Sequence, residues 1–233
     1  MLKTIGFDAD DTLWQNERYF RAAEAEFAAL LADYADVARL EHALNDRQRL
    51  NTPLYGFGAK SFTLSMIETA IEVSGEAIPA SALQKILATG REMLAHPVEL
   101  LPHAREAVEA LAGRYRIILI TKGDLFHQER KIAASMLGDL FDRVEIVSDK
   151  KAETYARIFS EFGDDPAAAM MVGNSMKSDV APAIEAGCWG VYIPHEHTWA
   201  LERAEAPADA PRFRELASIG ELPGLVESLA EER

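Results

Sequence analysis

The chain has 233 residues with 48% hydrophobic and 27% charged residues, and its 24 Lys and Arg against 38 Asp and Glu give a formal charge of −14. That makeup fits one large core, or a core with a smaller module, and excludes disordered, collagen-like and membrane-spanning chains. The acidic field also excludes polymeric nucleic acid as the expected partner, whereas a small phosphorylated molecule can bind in a local pocket holding a metal ion and a lysine.

The start, MLKTIGFDADDTLW, turns acidic at Asp8 without a signal-peptide or transit-peptide pattern, and no apolar run approaches the roughly 20 residues that a bilayer requires. A cytoplasmic, non-membrane protein is the expectation. A single cysteine, Cys188, sits in the apolar stretch AGCWGVYI, which reads as a buried structural thiol in a reducing compartment.

In chain order, the first apolar run, Leu2–Phe7, predicts a strand that opens into Asp8-Ala9-Asp10-Asp11-Thr12. Residues 15–97 contain only helical patterns, among them NERYFRAAEAEFAALLADYA and SFTLSMIETAIEVSG, and predict four helices packed into a small bundle. Further strands are predicted at Tyr115–Thr121, Val144–Val147, Ala168–Val172 and Trp189–Ile193, separated by amphipathic stretches long enough for crossover helices. This alternation predicts an α/β fold with a doubly wound parallel sheet, residues 1–14 and 98–233 forming the core and 15–97 an inserted all-helical domain. The segments near Trp14 and HPVELLP read as hinges, and the tail beyond Pro194 as one or two short surface helices.

Ligands of open parallel sheets bind at the carboxyl ends of the strands. There the sequence places Asp8 to Thr12, then Thr121-Lys122-Gly123-Asp124, Ser148-Asp149-Lys150-Lys151, and Gly173-Asn174-Ser175 with Asp179. Helix capping accounts for Asp11 and Thr12 but leaves Asp8 and Asp10 without a role. Carboxylates crowded with Asp179 need a compensating cation or proton, and a hard divalent ion such as Mg2+ fits oxygen donors.

These segments resemble the motifs of the haloacid dehalogenase superfamily, in its phosphatase branch with a helical cap. Asp8-Ala9-Asp10-Asp11-Thr12-Leu13 is similar to the D-x-D-x-T-L loop and Thr121 to the second-strand Ser/Thr. Lys150 is similar to the motif lysine, and Gly173-Asn174-Ser175 with Asp179 resembles the G-D-x-x-x-D loop, with Asn174 where that loop has its first aspartate. The resemblance implies a Rossmann-like core and a Mg2+-dependent phosphatase in which Asp8 is the nucleophile and forms an aspartyl-phosphate. In that scheme Asp10 is the general acid and base, and Thr121 and Lys150, with Thr12 and Lys122 as further candidates, hold the phosphate. It also implies a metal bound by Asp8, the Asp10 backbone carbonyl and Asp179, with Asn174 in place of the usual carboxylate. Lys150 is preferred over Lys151 because it precedes Tyr155 by five residues; Lys122 and Asp124 also read as a solvated residue and a helix cap.

Other readings stand beside this one: a 2-haloacid dehalogenase, whose aspartate attacks carbon and needs no acid at position 10; a receiver-type signalling domain; and a catalytically idle phosphate-binding protein on the same scaffold. The double-sized fold and its helical insert disfavour the receiver. His195-Glu196-His197 lacks the i, i+4 spacing of a helical zinc site and reads as a loop near the pocket mouth. Gly58-Ala59-Lys60-Ser61 lacks the first glycine of a phosphate loop and the preceding strand, and Tyr55 to Gly58 reads either as a plain turn between two helices of the insert or as a loop reaching towards the substrate. An insert that leaves and rejoins the sheet beside the acidic loop predicts a lid and small phosphorylated metabolites as substrates. No motif fixes which metabolite, nor the oligomeric state.

Overall fold

The computed structural model describes residues 1–163 and 165–231. The predicted apolar runs form β1 (Thr4–Phe7), β2 (Arg116–Lys122), β3 (Arg143–Val147), β4 (Ala169–Gly173) and β5 (Trp189–Tyr192). A sixth strand, β6 (Phe213–Glu215), lies in the tail, where the sequence pattern predicts only helices. It is three residues long with one apolar side chain, so no periodicity announces it. All six strands are parallel in the order β3-β2-β1-β4-β5-β6.

Strands β1, β2 and β4 are buried on both faces, which explains their unbroken apolar character. On one face Phe7, Leu119 and Val172 pack with α5 (Ala104–Leu111) and α8 (Leu222–Glu231). On the other, Ile118, Ile120 and Met171 pack with Tyr155, Ile158 and Phe159 of α7 (Ala152–Ser160). Cys188 joins that second core, and burial pushes its thiol up to about 12, consistent with a structural side chain. The chain builds β1, β2 and β3 outward on one side and then restarts at β4 on the other side of β1. The carboxyl ends of β1 and β4 therefore border the crevice where the strand order reverses, the usual ligand position of this architecture.

The chain divides into two compact units, one comprising Met1–Glu17, Val98–Lys122 and the chain from Gln128 onward, the other Arg18–Pro97 with Gly123–His127. In the second, α1 (Glu17–Leu30), α2 (Val37–Tyr55), α3 (Ala59–Val73) and α4 (Ala80–Ala95) surround Phe27, Leu40, Phe62, Met66 and Ile86. Helices α3 and α4 approach so closely that a Cβ at Gly90 would lie 2.3 Å from Thr63 Oγ1. No described helix is long and apolar enough to cross a membrane.

Candidate active site

Asp8 leaves β1 still in register, its N–H donating to the Val172 carbonyl of β4 at 2.8 Å, and its side chain enters the crevice between the two strand ends. The next residues form a tight loop in which Asp11 adopts a left-handed φ of 62°, a conformation that aspartate tolerates. The Asp11 carboxylate turns away from Asp8 and accepts the backbone N–H groups of Asn16 (2.8 Å) and Glu17 (2.9 Å), capping the start of α1. Burial, offset in part by His195, raises its carboxyl to about 6.

Asp8 and Asp179 are both buried, at 7% and 1% exposure, and share one ammonium. Lys150 Nζ lies 2.5 Å from Asp8 Oδ1 and 2.7 Å from Asp179 Oδ1. The other Asp8 oxygen accepts the Thr12 hydroxyl at 2.9 Å. Hydrogen-bond chemistry assigns the Asn174 amino group a position 3.2 Å from each of three acceptors, Asp8 Oδ2, the Asp10 carbonyl and Thr12 Oγ1. Two buried carboxylates and one ammonium leave a net negative charge at this point. Burial first, and then the charge of Asp179, raise the Asp8 carboxyl to about 7 despite Lys150, while the same carboxylates outweigh burial at Lys150 and keep its ammonium charged.

Asp179 reaches this position from a single π-helical turn, Met176–Val180, an uncommon backbone form found mostly at functional sites. Its second oxygen accepts the Ser175 N–H at 2.9 Å, and Tyr155 fixes the turn by donating to the Ser178 carbonyl at 2.7 Å. Gly173 makes room for it, since a Cβ there would lie 2.2 Å from Asp179 Oδ2. Gly173→Ala is accordingly expected to displace the carboxylate and lower kcat about tenfold or more while the chain still folds; an unchanged kcat would show that Asp179 tolerates the shift.

Thr121, the residue before the last of β2, lies at the same edge, where it accepts Gln128 Nε2 at 3.1 Å. The Lys122 ammonium, a candidate phosphate contact, lies instead against Ser178 Oγ at 2.7 Å and Glu202 Oε1 at 2.5 Å. Lys151 is exposed and pairs with Asp149 at 3.2 Å, whereas Lys150 is inside the site.

The family model for haloacid dehalogenase-like hydrolases matches residues 2–187. The chain belongs to the haloacid dehalogenase-like hydrolases. This hydrolase is similar to a haloacid dehalogenase-like family hydrolase from Xanthomonas campestris, with 46% identity over 99% of this chain and 93% of that one and a TM-score of 0.89. It shares its fold with a predicted phosphoglycolate phosphatase from Haemophilus somnus (17% identity, 97% of this chain and 98% of that one, TM-score 0.64). It shares it equally with a 2-haloacid dehalogenase from Pseudomonas syringae (22% identity, 98% of this chain and all of that one, TM-score 0.63). No curated protein matches the chain.

Besides Trp14, three groups in the hydrolase lie outside the sequence motifs. Two of them, with Trp14, close around the partly buried Asp10: Lys131 Nζ lies 2.6 and 2.7 Å from its two oxygens, Trp14 Nε1 donates at 2.7 Å and Gln128 Nε2 at 3.0 Å. Burial pushes the Asp10 carboxyl up, but Lys131 and these hydrogen bonds prevail and hold it below the usual range, so it stands as an ionised acceptor. Gln128 and Lys131 lie three apart on one face of α6 (Leu125–Ser135), a spacing that in sequence reads as a solvated helix surface. The third group, Glu202, stands in a tail rich in Glu and Ala, where nothing local distinguishes it.

The Asp8 shift has a measurable consequence for stability. A carboxyl raised from 3.8 to about 7 binds its proton more tightly in the folded state, so the stability it contributes is complete below pH 3.8 and is lost as pH rises through about 7. In EDTA, wild type is therefore expected to lose stability relative to Asp8→Asn between pH 5 and 8, measured by urea unfolding. A difference independent of pH would contradict the shift.

Proposed function

We propose that this hydrolase cleaves phosphoric monoesters of small metabolites with Mg2+ as its cofactor. One observation carries the reading: Asp8 and Asp179 are buried together with a single ammonium between them, and the excess negative charge lies beside the carbonyl of Asp10. The two carboxylates and the Asp10 carbonyl offer oxygen donors, which a hard divalent ion requires, so Asp8, the Asp10 carbonyl and Asp179 would hold it, with the Asn174 amide beside them. When bound, the ion supplies positive charge against the anionic substrate.

The side chains then divide the work. Asp8 attacks phosphorus, held by the Thr12 hydroxyl on one oxygen and Lys150 on the other, and the bond from phosphorus to the leaving oxygen breaks. Because Gln128 donates into Thr121 Oγ1, the threonine hydrogen is directed elsewhere, as a donor to a phosphoryl oxygen must be. Lys150 stabilises the charge that develops on those oxygens. Asp10, loaded with a proton, gives it to the leaving oxygen; as a carboxylate it then takes a proton from the water that attacks the aspartyl-phosphate, which releases phosphate and restores Asp8. The ionised Asp10 described above corresponds to the second of these states. Burial of the nucleophile favours a slender terminal phosphate over a phosphoryl group flush with a protein surface.

A second reading is favoured by the four donor contacts on Asp10 from Lys131, Trp14 and Gln128. A carboxylate so occupied is no acid, and attack of Asp8 on carbon with loss of halide needs none. Turnover of an aryl phosphate with and without Mg2+, run beside halide release from 2-chloropropionate, tests both. Mg2+-dependent phosphate release without halide release is the expected result. Halide release alone would replace the phosphatase reading, and absence of both would defeat both readings for these substrates.

A further inference from the structure

We propose that Glu202 is a positioning residue, the latch of a C-terminal strap that fixes the turn carrying Asp179 and the lysine that ends β2. The strap lies beyond residue 187, where the family model stops, so the hydrolase motifs do not specify it. It leaves the end of β5 and meets three of the loops at the carboxyl edge: His195 Nε2 lies 3.7 Å from Asp11 Oδ1, Lys177 Nζ donates to the Leu201 carbonyl at 2.8 Å, and Glu202 joins Lys122 to the loop after β4.

The Glu202 network closes on itself. Both its hydroxyl donors end on the same carboxylate oxygen, Ser175 Oγ at 2.6 Å and Ser178 Oγ at 2.5 Å, while Lys122 Nζ takes the other at 2.5 Å. Ser175 Oγ accepts the Ser178 N–H at 2.9 Å, and Ser178 Oγ accepts Lys122 at 2.7 Å, so each hydroxyl has its one hydrogen committed to Glu202. Ser175 also gives its N–H to Asp179 Oδ2, which connects the latch to the buried carboxylate in a single step. Glu202 is largely buried, with 14% of its side chain exposed, so these bonds are sheltered from water and removal of the carboxylate would take an acceptor from two hydroxyls and from the Lys122 ammonium, which keeps Ser178 Oγ.

The inference rests on the reading of Asp179 as a site residue, and its test separates the two. Amide exchange is measured without substrate or metal for wild type, Glu202→Ala and the milder Glu202→Gln, which keeps the shape and two polar atoms but drops the charge. Peptides covering Lys122 and Gly173–Val180 are expected to exchange at least about tenfold faster in Glu202→Ala, with Glu202→Gln intermediate and α3 unchanged. On the best phosphate ester, kcat should fall about tenfold or more with KM altered by less than about threefold, as displacement of a supporting group requires. Should Glu202→Ala fail to fold, Glu202→Gln decides the matter on the same two readouts. Unchanged exchange in these peptides overturns the proposal, as does faster exchange with unaltered kcat, which would make the latch structural only. A wild-type enzyme inactive on phosphate esters would defeat the phosphatase reading instead, and exchange together with the halide assay would then decide on Glu202.

Discussion

Asp8→Asn is expected to abolish hydrolysis, lowering kcat by at least about a thousandfold, while the protein folds normally and gains stability at pH 8. The rate effect follows because an amide cannot open as the carboxylate does, and both readings of the chemistry, attack on phosphorus or on carbon, begin at this atom. The stability effect follows from charge. Wild type confines Asp8 and Asp179 around one ammonium, and burial raises the Asp8 carboxyl to about 7, so above that pH the folded protein keeps ionised a group that would rather hold its proton. Asparagine retains the shape, leaves Lys150 and Asp179 as a one-to-one pair and removes the excess charge. Steady-state kinetics on the best substrate and a melting curve at pH 8 in EDTA check both halves. Residual turnover near the wild-type rate would remove Asp8 from the mechanism, and a lower melting temperature would show that Lys150 depends on both carboxylates.

The parts of this molecule that are legible in the sequence are those where one physical requirement acts alone. Strands β1, β2 and β4 must be apolar on both sides, so LKTIGF, YRIILIT and AAMMV read directly as buried strands. The four loops of the site are legible because each follows an apolar run that reads as a strand and carries chemistry that a plain turn does not need. Asp11 reads as a cap for the same reason, and the structure shows it accepting Asn16 and Glu17. What stays hidden is where two requirements overlap. Gln128 and Lys131 sit on an amphipathic helix whose polar side is normally solvated, and only the fold turns that side toward Asp10. Trp14 looks like core and is core, yet its indole N–H is also a donor to Asp10. Lys122 follows a phosphate-binding motif position, but its partner Glu202 lies 80 residues further along the chain, a separation that no local pattern bridges.

Replacing Lys150 distinguishes a charge-balancing group from a mere neighbour, and its expected effect on stability is the largest of any single substitution in the site. Lys150→Met keeps much of the side-chain volume but leaves Asp8 and Asp179, both buried, facing each other with no cation between them. Removing one partner of a buried ion pair costs on the order of 3–5 kcal/mol, because the charge left behind is neither solvated nor paired. For a chain of this size that corresponds to a melting-temperature loss of about 10 °C at pH 8. The sign of its pH dependence is fixed by the same electrostatics. Without the ammonium the carboxyl of Asp8 rises beyond its already raised position, a proton then relieves the repulsion, and the deficit against wild type should shrink as pH falls from 8 to 5. Millimolar Mg2+ should recover part of the loss at pH 8, since a divalent ion offers the two carboxylates the charge they lack. Catalysis should not return with it, because the ion restores neither the hold on Asp8 nor the cation facing the substrate oxygens. Lys151→Met is the matched control: this lysine is exposed, its ammonium pairs with Asp149 at 3.2 Å, and its loss should change stability by less than about 0.5 kcal/mol. A deficit in Lys150→Met that is the same at pH 5 and pH 8 would mean that the lysine acts through packing, and the charge balance proposed for the nucleophile would have to be abandoned.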